Sequence, residues 1–278
     1  MSAVPLLHLA IALVAAHVWV DFGAGGASPP QEARGARRAA RHAILYGILS
    51  GLLLPAWSLC ALGVVVGLAL VRGALYAWRA RGFWPYARLS PLAGLALDQA
   101  ARLAAIAAAL AVLFPVGSAS VWLLWHWVHE ALGARPDAVL VPGALTLAAA
   151  YVWAVPGGST IVRAVLEPYA AALPDEEELS LGRVIGHLER LILLTLFLLD
   201  QYAAIGLIIT AKSVIRIPSI RPPGGADAST AGTGRAQAAG STWAHEKITA
   251  EYFLIGTLAS IAVALFAGLL ARWTLTSL

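Results

Sequence analysis

Apolar residues in this chain come in long unbroken runs rather than at a helical or strand period. The runs cover Val4–Phe22, Ala43–Val71, Leu92–Val116, Leu191–Ala211 and Tyr252–Ala271. A soluble helix would break its apolar stripe every few residues, and a half-buried strand every second one. A helix needs roughly 20 apolar residues to cross a hydrocarbon core of about 30 Å, so these runs predict membrane-spanning helices. Lipid offers the backbone no hydrogen-bond partners, which leaves only helices and closed barrels. A barrel would alternate apolar and polar positions over strands of roughly ten residues. The runs here are continuous and rich in Ala and Leu, both strong helix formers. The expected fold class is all-α, a polytopic membrane helix bundle.

The pattern predicts about eight spans, or seven if one weak segment does not cross. The first covers Ala3–Phe22. The second and third divide near Pro55–Cys60, where proline removes a backbone donor. The fourth covers Pro91–Phe114, the weak segment Ser118–Leu132, and a sixth helix Ala138–Val155. Pro156–Ser180 is amphipathic and ends near the acidic run Asp175–Glu178. The seventh span covers Gly182–Ile215 and the last Thr249–Trp273. In domain terms, residues 1–217 form the bundle and 218–248 a disordered linker rich in Gly, Pro, Ala and Ser. Residues 249–278 are a C-terminal span packing back on the bundle. Placing Arg34–Arg41, Arg72–Arg88 and Lys212–Lys247 on one membrane side requires eight spans, with both termini and the acidic run opposite.

Composition agrees. The chain is 60% hydrophobic and 12% charged, where a soluble domain carries about 25% charged residues. Ten Trp suit interfacial belts. The net charge of +4 fits basic loops at a membrane surface, and nucleic acid is not an expected partner. Cys60 is the single cysteine, so no internal disulfide can form. The first run lacks a basic leader and a small-residue cleavage site, so it reads as a retained span. There is no G-x-x-x-x-G-K-[ST] loop, G-x-S-x-G elbow or H-E-x-x-H pair, and Gly157–Thr160 reads as a turn.

A charge within a span costs a few kcal/mol, so the ionisable residues inside the runs are the candidate site. His17 and Asp21 are four apart and share a helix face; His42 opens the next span. Two imidazoles and a carboxylate are ordinary transition-metal ligands and could equally relay protons. The plainer alternative puts Asp21 among the headgroups. Asp98 and Arg102 form an i, i+4 pair that either neutralises itself or faces the His17–Asp21 site, with Arg102 as a fixed cation. Glu189, Arg190, Lys212, Arg216 and Glu251 read as structural ion pairs. In this reading Lys212 or Arg216 reaches Glu251, and Glu189 and Arg190 lie at the opposite end of the same helix. Gly256 and Ser260 permit close helix contact. His126, His129 and Glu130 sit among Trp122, Trp125 and Trp127 and read as an interfacial anchor.

Several blocks resemble a family of bacterial polytopic membrane proteins of unknown function. They are His17–Phe22 with His42, Leu97–Gln99, Gly182–Arg190, Ala211–Arg216 and Glu251–Ser260. The resemblance covers the chain in outline and implies a multi-pass protein of the bacterial inner membrane. The family pattern places His where this chain has Arg102, and a His-x3-Asp where it has Arg72 and Tyr76. An arginine can supply a metal's charge but not its chemistry. A divalent metal is therefore the one cofactor the site suggests, and the arginines argue against it.

Three functions follow, in order of preference. The first is a non-catalytic scaffold or partner subunit whose intramembrane charges pair with one another. The second is a metal-dependent hydrolase using His17, Asp21, His42 and Asp98. The third is a proton-coupled carrier. The expected partners are the lipid bilayer and either another protein or further copies of the chain.

Overall fold

A computed structural model describes residues 6–23, 35–54, 59–81, 89–113, 140–172, 176–216 and 233–278. Among them there is helix and no strand. The helices are α1 (Leu6–Val18), α2 (Gly35–Leu53), α3 (Leu59–Ala80), α4 (Pro91–Leu113), α5 (Leu140–Val152), α6 (Gly158–Leu166), α7 (Glu176–Leu198), α8 (Tyr202–Arg216) and α9 (Thr233–Thr276). π-helical segments extend α1 over Trp19–Gly23 and join α5 to α6 over Trp153–Gly157. A 3-10 segment, Glu167–Ala172, follows α6.

Among the described residues five helical stretches are long and apolar enough to cross a membrane: Leu6–Gly23, Leu59–Arg79, Pro91–Leu113, Leu140–Tyr169 and Leu254–Thr276. Ala39–Leu53 and Tyr202–Val214 are shorter apolar helices. The expectation of eight spans is met only in this coarser form. The weak segment Ser118–Leu132 lies outside the described residues.

Four boundaries differ from the sequence reading. Gly182–Ile215 is two helices, because α7 ends at Leu198 and α8 starts at Tyr202. Between them Asp200 takes a left-handed φ of 59°. Its amide bonds the Phe197 carbonyl at 3.2 Å and the Gln201 amide bonds Leu196 at 2.8 Å, the hydrogen-bond pair of a Schellman cap. Second, Gly157–Thr160 is helical rather than a turn. Pro156 cannot complete the i→i−4 ladder, and the chain widens into a π segment instead of stopping. Third, α9 begins at Thr233, so residues 233–248 of the expected linker are helical; no proline interrupts them. Residues 218–232 lie outside the described set. Fourth, Arg37, Arg38 and Arg41 belong to the opening turns of α2 rather than to a loop.

The chain divides into two compact units. The first holds α1–α5 and the C-terminal residues Leu269–Leu278. Its centre is α1, whose span is 67% buried against 22–33% for the other four. Ala12, Ala15 and Ala16 are 0–1% exposed, and such small side chains let neighbouring backbones approach closely. α1 packs against α2, α4 and α5, while α3 packs against α2 and α4. The core joins Leu9 and Leu13 of α1 to Tyr46 and Leu53 of α2, Val65 and Leu68 of α3, and Ile106 and Ala109 of α4.

The second unit holds Gly158–Gly268. α7 and α8 pack together, and Leu193, Ile205 and Ala264 form their core with part of α9. Gly268 is there because a Cβ would stand 2.4 Å from the Phe197 ring.

The distribution of polarity is the reverse of a soluble protein's. On α3, Leu59, Leu62, Val66 and Leu70 face outward at 49–90% exposure, while Arg72 faces inward at 4%. An apolar exterior around buried charge is the arrangement lipid demands.

Candidate functional site

Three helices of the first unit build the site. α1 carries His17 in its last turn, and the π segment after it holds Asp21. α3 supplies Arg72 and Arg79, and α4 supplies Asp98, Gln99 and Arg102. Asp98 and Arg102 follow Pro91 by 7 and 11 positions, roughly 10 and 16 Å along α4. Arg102 therefore sits near the middle of its helix. Asp98 and Arg102 share a face, as their spacing dictates. That α3 and α1 bring Arg72 and Asp21 to the same face is a matter of helix packing.

Asp21 is the hub. Arg72 Nη2 pairs with Oδ1. Arg102 Nη1 pairs with Oδ2 at 2.5 Å, and Gln99 Nε2 donates to that same oxygen at 3.2 Å. Arg102 turns its other terminal nitrogen to Asp98 Oδ2 at 2.7 Å, so one guanidinium bridges two carboxylates. Arg79, 40% exposed at its side chain, approaches Asp98 Oδ2 at 3.4 Å. The remaining charges are buried: Asp21 7%, Arg72 4%, Asp98 1% and Arg102 8% exposed. Two cations thus face two carboxylates, and Arg79 adds one positive charge at the edge.

His17 is fixed by donor logic. A guanidinium nitrogen can only donate, so His17 Nδ1 accepts from Arg72 Nη1 at 2.9 Å. The ring proton then lies on Nε2, which donates to Gln99 Oε1 at 2.9 Å. Gln99 passes its amide hydrogen to Asp21. The result is a one-way hydrogen-bond relay from α3 through α1 to α4 and back, with His17 as a neutral imidazole. The 3.5 Å approach of His17 Nδ1 to Asp21 is not an ion pair, since that nitrogen holds no proton. Arg72 is also braced by the Tyr46 ring, 4.6 Å from its Cζ, a cation–π distance.

The structure brings His17, Asp21, Arg72, Asp98 and Arg102 together. It places Arg72 inside the span rather than at the membrane surface, where the basic stretch Arg72–Arg88 was expected. His42 is buried and stacks on Tyr76 at 5.5 Å between centroids. Among the described residues no group of three or more His, Cys, Asp or Glu is placed to hold a metal ion. The groups against Asp21 are two guanidiniums and an amide, which repel a cation or offer it no free lone pair. His126, His129 and Glu130 lie outside the described residues.

In the second unit Lys212 pairs with Glu189 at 2.5 Å, because the turn at Leu199–Gln201 folds α8 back along α7. Glu189 and Lys212 were expected at opposite ends of one helix, with Lys212 or Arg216 reaching Glu251. The side chain of Arg216 is outside the described set. Arg190 is 3% exposed and donates to Ser260 Oγ at 3.0 Å and Ser159 Oγ at 2.5 Å. His187 Nε2 lies 2.6 Å from the same Ser159 hydroxyl. Gly158 clears the path, since a Cβ there would stand 2.7 Å from Arg190 Nε. Sequence reasoning missed the roles of Gln99, Arg79, Ser159 and His187. The signals for Gln99 were its position beside Asp98 and its place in the Leu97–Gln99 block.

Among the described residues the protein is all-helical, and helices long and apolar enough to cross a membrane, with apolar exteriors around a buried ionic network, are the features of the membrane-protein class. Compared with known proteins, the chain matches no family model, no curated protein and no solved structure.

Proposed function

We propose that this protein is a non-catalytic membrane scaffold or partner subunit, whose intramembrane charges lock the first unit into one rigid arrangement. One observation carries the reading. Both oxygens of Asp21 are taken by guanidiniums from two different helices, so Asp21 cross-links α1, α3 and α4. A nucleophile, a metal site or a proton path through Asp21 needs an oxygen left open to react, and both of its oxygens are occupied. Partner contact is supported by Gly63 and Gly67 of α3, where an added Cβ would meet none of the described residues within 4 Å. Small residues four apart on a span permit close approach of another helix.

The readings separate in purified protein. Thermal unfolding is measured after chelation and again with added zinc, while proton uptake is followed in proteoliposomes. The scaffold reading expects the same unfolding temperature with and without zinc, and no uptake above protein-free vesicles. Zinc stabilisation that disappears in His17→Ala would install the hydrolase reading instead. Proton uptake that disappears in Asp98→Asn would install the carrier.

A further inference from the structure

The ion pairs occupy the terminal nitrogens of Arg72 and Arg102 and leave their Nε atoms unused. Both Nε–H groups are buried and have no hydrogen-bond partner among the described residues. Each such donor costs on the order of 1–3 kcal/mol if it stays unpaired. Both arginines line one small cleft between α3 and α4, together with Tyr46, Leu68, Val71 and Ile106. The cleft has room for about one water-sized group. Its rim includes Val71, 44% exposed on the apolar outer surface.

The walls decide what fits. A water could accept from both Nε–H groups, but it would bring two hydrogens of its own to walls that are aliphatic apart from Tyr46 and the arginines. A species that only accepts brings no hydrogen that needs a partner. The positive charge that Arg79 adds at the edge of the network favours a partial or full negative charge here. Val71 lies on α3 within a stretch long and apolar enough to span a membrane, so a mouth beside it would face acyl chains. We propose that the cleft binds the carbonyl oxygen of an acyl lipid, a carboxylate or an ester. That oxygen is held by Arg72 Nε and Arg102 Nε, and its chain leaves past Val71 into the bilayer. The site stands apart from the scaffold reading, which rests on the Nη atoms.

The probes are hexadecanoate and its methyl ester, titrated into the full chain in lauryl maltoside and read by calorimetry. Ala105→Leu fills the cleft from α4, and Val71→Phe covers its mouth from the exposed side. Neither variant touches an ion pair, and the thermal unfolding of each confirms its fold. Saturable hexadecanoate binding is expected, weakened about tenfold or more in both variants, the worth of one or two hydrogen bonds to a cation. Equal binding of the methyl ester assigns the site to ester lipids, and binding of the acid alone assigns it to free fatty acids. The proposal is overturned if neither probe binds saturably, or if both folded variants bind as the parent does. It is also overturned if chloride, rather than either probe, shifts the unfolding temperature in a cleft-dependent way. If Ala105→Leu does not fold, Val71→Phe decides alone.

Discussion

Replacing Asp21 by Asn keeps the side chain's shape and removes its charge. In the parent, two buried cations face two buried carboxylates. Asp21→Asn leaves Arg72 and Arg102 with Asp98 alone. Arg72 loses the carboxylate it is paired with, while Arg102 keeps one. Breaking a buried pair by removing one partner costs about 3–5 kcal/mol, since the other charge stays desolvated. Asp98→Asn is milder: Arg102 retains Asp21, so about 1.5–3 kcal/mol is lost, the worth of a hydrogen bond between charged groups. Arg102→Gln leaves two carboxylates with Arg72 and half-exposed Arg79. The double variant Asp21→Asn with Arg102→Gln returns the core to one cation and one anion. Its destabilisation should fall short of the sum of the two single losses by about 1–3 kcal/mol, the coupling expected of contacting residues. Reversible unfolding by dodecyl sulfate in mixed micelles, read by far-UV circular dichroism, measures all four proteins. Additivity to within about 0.5 kcal/mol would show that Asp21 and Arg102 do not act as a pair, and the network would lose its claim to hold the helices.

Other consequences follow from the second unit. Gly268→Ala drives a Cβ into the Phe197 ring and should cost about 1–3 kcal/mol; adding Phe197→Leu should recover part of it, and no recovery would place the clash elsewhere. Arg190→Met removes the donor shared by Ser159 and Ser260, so hydrogen exchange across Gly158–Leu166 should quicken; unchanged exchange would refute that link. Asp200→Gly relieves the left-handed backbone strain, which for a residue with a Cβ costs roughly 1–2 kcal/mol, but gives up the 2.7 Å bond from Tyr202. The variant should be at least as stable as the parent in the same unfolding assay. Lys212→Met leaves Glu189, 10% exposed at its side chain, without its cation, so about 1–3 kcal/mol should be lost in the same unfolding assay; an unchanged stability would show that the pair does not hold α8 to α7.

Much was legible along the chain. The continuous apolar runs determined an all-helical class, because backbone in lipid must satisfy itself. Spacing alone placed Asp98 beside Arg102, and composition ruled out a water-facing surface. The break between α2 and α3 was visible in Pro55. Boundaries failed where a local signal was overridden. Leu191–Ala211 reads as one greasy stretch, yet a Schellman cap at Asp200 divides it. Pro156 reads as a stop, yet the helix absorbs it as a π segment.

What no periodicity could supply was the choice of partner across helices. Spacing offered Asp21 an imidazole one turn away; packing gave it Arg72, 51 positions distant, and Arg102, 81 positions distant. Lys212 had Glu251 within reach on paper, but the turn after Leu198 delivered Glu189. A helix fixes which residues share its own face, and that much is written in the sequence. Which faces meet depends on the closest packing of several helices at once. Small residues such as Ala12 and Ala16 admit neighbours to contact distance, and only then do buried charges settle which of them become partners.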